Sequence, residues 1–230
     1  MARTRTYKVE GVVLRHVPFG EAERILTVYT REFGKLRCVG RGVRRIKSKL
    51  GGHLEPCTHF LGHLSEGKTI DIITEAETLQ SFRIIKEDLD RLSKAIYFAE
   101  LVDSFSVDNV PSHLVFNTYL DVLYALQNEN IPSHLVMYFQ IFLLSQSGFG
   151  PELYCCVDCG MKIAPEAHLF SCVKGGIVCS DCHRHSGETL VNISINGLKL
   201  IRFLQGQKQP DLSQIKIPTA DFSAAERLLT

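Results

Sequence analysis

"ERILTVYTREFGKLRCVGRG", residues 23–42, alternates, turns and alternates again. Its first eight residues have a period of two and are rich in β-formers, which reads as a half-buried strand. "REFG" makes the turn and "KLRCVGRG" continues as a further strand. Upstream, "YKVEGVVLRHV" mixes alternation with a short apolar run and reads as the strand before it. Downstream, "CTHFLGHL" and "KTIDIITEAE" flank "SEGK", a hairpin loop between two more strands. Five short strands in about 75 residues predict a small closed barrel. An OB-fold barrel is the natural candidate, having five strands and a habit of binding oligonucleotides.

The period changes after Phe82. "EDLDRLSKAIYFAELVDSF" places Leu89, Leu92, Ile96 and Ala99 at helical spacing. "PSHLVFNTYLDVLYALQ" offers Ser112 as an N-cap and sets Phe116, Tyr119, Leu123 and Leu126 on one face. "IPSHLVMYFQIFLLSQSGFGP" reads as a third helix ending near Gly148. Together they predict a small helical bundle whose aromatic stripe is core. Further on, "SINGLKLIRFLQG" is a short amphipathic helix, and "SAAERLLT" reads as a helix start capped by Ser223. The expectation is thus an α+β multidomain chain. Residues 1–80 form the OB-fold domain, 81–150 a helical domain and 151–188 a metal-binding motif. Residues 189–230 form C-terminal helices packing with the helical domain.

Six of the eight cysteines lie in "CCVDCGMKIAPEAHLFSCVKGGIVCSDC", residues 155–182. Cys156-x2-Cys159 and Cys179-x2-Cys182 form two knuckles, each able to offer two sulfurs to one ion. Soft thiolates in a tetrahedral set favour Zn²⁺, with an iron–sulfur cluster as the minor option. Four thiolates fill the coordination shell, leaving no position for a reactive water, so the expected zinc is structural. Cys155, Cys172, His183 and His185 read as bystanders, although Cys155 and Cys172 leave the choice of ligand open. Cys38 and Cys57 read as small buried apolar residues.

Charge is unevenly distributed. Residues 1–80 carry 14 Lys+Arg against 9 Asp+Glu, residues 81–150 carry 4 against 8, and residues 151–230 carry 8 of each. "KLRCVGRGVRRIKSKLGGHL" holds Lys35, Arg37, Arg41, Arg44, Arg45, Lys47 and Lys49, with no Asp or Glu between Glu32 and Glu55. Such a run can track a phosphate backbone. It contains no aromatic residue, so it reads as a phosphate binder with little sequence preference.

No apolar h-region follows the basic N-terminus, and "LVMYFQIFLL" is about half a membrane span. The expectation is a cytoplasmic protein without membrane contact, whose clustered thiols are metal ligands or redox groups rather than disulfides. No H-E-x-x-H, G-x-S-x-G or Walker A sequence occurs, and no H-x-E or C-x-E stands near the thiols. These absences argue against an enzyme.

At this point the chain resembles the bacterial DNA repair and recombination mediator family RecO. "EGVVLRHVPFGEAERILTVYTREFGKLRCVGRGVRRIKSKLGG" is similar to its N-terminal domain, "DLDRLSKAIYFAELVD" to its first central helix and "CVDCG…FSCVKGGIVCSDC" to its zinc motif. The resemblance runs in order from about Lys8 to Phe203. It implies an OB-fold, a helical domain and an embedded zinc site, with no catalysis. It implies binding of single- and double-stranded DNA and annealing of complementary strands. It further implies that the chain, with RecR, helps load RecA onto DNA coated with single-strand-binding protein, whose acidic C-terminal tail it contacts. The family's basic region falls on Arg37 to Lys49 and its zinc cysteines on Cys156, Cys159, Cys179 and Cys182. The family's longer final helix makes a truncated C-terminus an expectation here. Two other readings compete: a zinc-ribbon adaptor or transcription factor acting mainly through protein contacts, and a zinc hydrolase or nuclease. The first would not need the basic loop, and the second would need an open metal site with paired carboxylates.

Overall fold

Five strands close into a barrel in the order β1-β2-β3-β5-β4: β1 (Thr6–Phe19), β2 (Glu23–Thr30), β3 (Gly34–Gly40), β4 (His59–Ser65) and β5 (Asp71–Gln80). The β3–β5 pair is parallel and the others are antiparallel, with β1 closing on β4. This is the OB arrangement. The computed structural model describes residues 5–164, 168–183, 190–208, 219–226 and 228. The period of two sorts the side chains. Leu26, Val28, Leu36 and Cys38 point inward and pack with Val9, Val13, Phe60, Leu64 and Ile73. The turn before β3 needs glycine: Gly34 has φ +68°, and a Cβ there would lie 2.2 Å from the Val110 carbonyl oxygen.

The chain divides into two compact units, residues 1–129 and 130–230. In the first, the barrel is followed by α1 (Arg83–Glu87), α2 (Leu89–Phe105) and α3 (His113–Ala125). Asp88 caps α2 through the amides of Asp90 and Arg91, and Ser112 caps α3 through the amide of Val115, as its sequence suggests. Phe116, Tyr119, Leu123 and Leu126 are all buried, as their spacing predicts. The apolar face of α2 differs from the expected one. Ala95, Phe98, Ala99 and Val102 are buried, whereas Leu89 and Ile96 are exposed. Two overlapping stripes run along this helix, and the outer faces of β1 and β2, against which α2 packs, meet the one that keeps the expected Ala99 but turns Leu89 and Ile96 outward. Likewise α3 lies on the barrel, its Phe116 ring stacked against Tyr29 with centroids 6.4 Å apart. In the first unit α2 and α3 thus cover the barrel, and α4 belongs to the second.

The second unit holds α4 (Leu135–Gln146), which is buried over most of its surface and packs against α6 (Ile195–Gly206). Between them come β6 (His168–Ser171), β7 (Gly176–Val178), α5 (Ser180–His183) and β8 (Val191–Ile193). The three strands form a small sheet in the order β7-β6-β8. Ser194 caps α6, and Leu198, Ile201 and Leu204 form its buried stripe. The last helix, α7 (Thr219–Glu226), begins before Ser223, so Ser223 lies within it rather than capping it.

Candidate nucleic-acid interface and metal centre

The basic loop that follows β3 is anchored, not free. Val43 is buried in the barrel core, and Leu50 packs against the same core. The Arg44 amide donates to the Ala22 carbonyl at 3.1 Å, tying the loop to the turn between β1 and β2. Within the loop, the Ser48 hydroxyl accepts from the amides of Leu50 and Gly51, and a short 3₁₀ turn at Gly51–His53 closes it. Apolar residues at 43 and 50 thus fasten the loop, and the charges between them are forced outward. Arg41, Arg44, Arg45, Lys47 and Lys49 are exposed, and so is Arg37 on β3. Among the described residues, none of these six forms an ion pair. A groove of about 490 Å³ lies between Arg41 and Arg45 on one side and Glu21, Ala22 and Glu23 of the β1–β2 turn on the other.

Lys35 departs from the other predicted cations. It is 9 % exposed, and its Nζ donates to the Asp103 carbonyl at 2.6 Å. It also sits 3.3 Å from the carboxylates of both Asp103 and Asp108. Burial alone would raise the Asp103 carboxyl, but Arg15 and Lys35 outweigh it and hold Asp103 below its ordinary value. Lys35 therefore fastens β3 to the end of α2, and it is withdrawn from the exposed set.

The four expected cysteines converge. Backbone bonds between Glu152 and Gly175, between Ile177 and Glu152, and between Val157 and Ile177 lay the first knuckle beside β7. The second knuckle follows directly at the end of β7. The sulfurs of Cys156, Cys159, Cys179 and Cys182 all lie within 4.8 Å of one another, and those of Cys159 and Cys179 are 3.7 Å apart. A tetrahedral ion with sulfur bonds of about 2.3 Å needs sulfurs about 3.8 Å apart, so the set fits a metal ion. Burial would raise the Cys156 thiol, but the amides of Cys159, Cys179 and Asp158 outweigh it and hold the thiol down at about 6. Conversely, the neighbouring thiols of Cys179 and Cys159 push Cys182 up. Four thiols this close cannot all ionise without a cation to offset them. Cys155, Cys172 and His183 are not part of the cluster; His185 lies outside the described residues. Burial pushes the Cys38 thiol up to about 12 and the Cys57 thiol up to about 11, as suits inert core residues.

The sequence reading missed the partners of Lys35, which stand 68 residues away or more. It also missed the anchoring role of Val43, although an apolar residue inside a basic run was a usable signal.

Comparison with known proteins agrees with this arrangement. The family model "Recombination protein O N terminal" matches residues 1–82, and "Recombination protein O C terminal" matches residues 86–230. A DNA repair protein RecO of Dehalococcoides mccartyi is 35 % identical over 217 residues, covering 94 % of this chain and 85 % of that protein. One from Heliobacterium modesticaldum is 38 % identical over 218 residues, covering 93 % and 78 %. One from Rubrobacter xylanophilus is 38 % identical over 179 residues, covering 76 % and 71 %. With the barrel, the helices and the cysteine cluster in the matching order, the chain belongs to the RecO family of DNA repair proteins.

Proposed function

We propose that the chain is a non-enzymatic mediator of DNA repair and homologous recombination, acting in the bacterial cytoplasm at the nucleoid. It binds single- and double-stranded DNA through phosphates and anneals complementary strands. With RecR, it helps to load RecA onto DNA coated with single-strand-binding protein, whose acidic tail it engages. Cys156, Cys159, Cys179 and Cys182 hold one structural Zn²⁺; elemental analysis should find about one zinc per chain.

The observation that carries the DNA reading is the anchored loop. Six cations, Arg37, Arg41, Arg44, Arg45, Lys47 and Lys49, face outward without an ion-pair partner among the described residues. Phosphate contacts of this kind release counterions, so log K falls linearly with log salt. For about five contacts on a single strand the slope is near −3.5. Replacing Arg41, Arg44 and Lys47 together with alanine should flatten it by about 2 and weaken all sequences alike. An unchanged slope in the folded, zinc-loaded variant would sink the reading. DNA affinity that survived neutralising the loop would favour the adaptor alternative.

A further inference from the structure

The outer face of β1, β2 and β3 is covered at one end and open at the other. Register decides which residues share that face. Arg15 stands opposite Thr27, and Thr27 opposite Arg37; Val17, Ile25 and Val39 form the next row. One step further, Phe19 pairs with Glu23, and β3 runs on into Arg41. At the covered end, Tyr29 lies against Phe116 of α3, while Arg15 and Lys35 reach Asp103 of α2. At the open end the exposed apolar residues lie on β1, where Val17 is 41 % and Phe19 49 % exposed, while Ile25 is half-buried and Val39 buried.

The basic loop adjoins this open end. The Arg44 amide bonds to Ala22, three residues after Phe19, so the cations and the aromatic ring are held on neighbouring segments. Ile46 stands among those cations with a fully exposed side chain, at 105 %. Glu21 and Glu23 line the groove with Arg41 and Arg45. Their carboxylates repel phosphates from the sheet face but accept hydrogen bonds from base amino groups. A strand lying here would set its phosphates along the outer rim of the loop and its bases over the sheet.

We propose that Phe19 is a base-stacking residue for single-stranded DNA, flanked by Val17 on the same strand face, with the strand's phosphates held by the loop cations. The proposal rests on the DNA reading of that loop. Its chemistry selects single strands, because the bases of a duplex are occupied by their own stack and cannot reach a protein ring. Stacking tolerates any sequence, since every base has a π-face. An apolar residue of similar size but without a ring, such as leucine, does not replace it.

The test compares wild type with Phe19→Leu, Phe19→Tyr and the loop variant Arg44→Ala. Each is titrated against a single-stranded oligonucleotide carrying 2-aminopurine, against the matching duplex, and across a salt series. Phe19→Leu should lose affinity for the single strand on the order of tenfold and abolish the quenching of 2-aminopurine. Its duplex affinity and salt slope should match wild type, and Phe19→Tyr should restore both binding and quenching. If Arg44→Ala flattens the slope while Phe19→Leu binds and quenches as wild type does, the platform is wrong and the phosphate reading stands. Equal losses on single strand and duplex would also overturn it, since Phe19 would then act only through the shape of the loop. An absence of salt-dependent binding by the wild-type chain would overturn both.

Discussion

Residue identity decides which cations of the basic run are available. Lys35 and Arg44 look alike in the sequence, but one is buried against Asp103 and Asp108 and the other faces water. Lys35 is buried but its partners Asp103 and Asp108 are partly exposed, so Lys35→Met should cost about 1–3 kcal/mol, below the range for a fully buried pair. The lower end reflects Asp103 keeping Arg15. Arg44→Ala should stay within about 0.5 kcal/mol of wild type. Urea midpoints and DNA salt slopes separate the two roles: Lys35→Met lowers stability and leaves the slope, and Arg44→Ala does the reverse. The opposite pattern would return Lys35 to the DNA surface. Local pattern cannot reveal this difference, because the partners of Lys35 come from another element.

Titratable pairs also set the acid response. Burial would raise Glu10, but Arg31 and His59 outweigh it; burial would raise Glu55, but Arg24 and His16 outweigh it. Both lie below the ordinary 4.5, and Asp103 lies below 3.8. A depressed carboxylate contributes fully above its ordinary value, and that stability is lost as pH falls through the folded-state value. His59 adds an earlier step. Burial holds it below its ordinary 6.5 despite Glu10, so it gains a proton on unfolding and stability declines as pH falls below 6.5. The melting temperature should therefore drop first below about 6.5 and again below about 4.5. His59→Gln should remove much of the first step; a decline of wild-type size there would refute the assignment.

At the scale of elements, the loop's shape counts as well as its charge. A Cβ on Gly51 would lie 2.6 Å from the Val43 carbonyl oxygen, and Val43 is the residue that plugs the loop into the core. Gly51→Ala keeps every cation but must displace that backbone, at a cost of about 1–3 kcal/mol as for other overpacking changes. It should also weaken DNA binding several-fold at fixed salt. Wild-type affinity in a destabilised variant would show that the charges act without a fixed loop. Strands, the cap at Ser112 and the cysteine knuckles were legible because each rests on local spacing, whereas Ser223, read as a cap, lies inside α7. The buried face of α2 was not legible either. Two stripes share Ala99, and only the surface the helix meets chooses Ala95, Phe98 and Val102 over Leu89 and Ile96. Phe19 was missed for a related reason. It lies outside the basic stretch, and cross-strand register brings it alongside.

For the whole molecule, the two units carry separate cores. Residues 1–129 contain the barrel with its covering helices, and residues 130–230 contain α4, α6 and the cysteine cluster. A metal bound by four cysteines contributes folding energy to the segment it closes, because among the described residues between 151 and 183 the large apolar side chains that are buried are only Leu153, Phe170, Ile177 and Val178. The barrel draws on Val9, Leu26, Phe60 and their neighbours, none of which needs the ion. Chelation should therefore unfold part of the protein. Without tryptophan in the chain, segment-resolved hydrogen exchange is the suitable readout. Metal removal should abolish protection over β6, β7 and the knuckles and lower it in α6, whose Arg202 and Gln205 hold the carbonyls of Leu153 and Pro151. Protection in β1 to β5 should persist, and so should the salt slope for DNA, since the cations are anchored in the barrel. Loss of barrel protection in step with the knuckles would mean that the units fold as one. Retained protection over the knuckles would mean that the thiols need no ion to hold them.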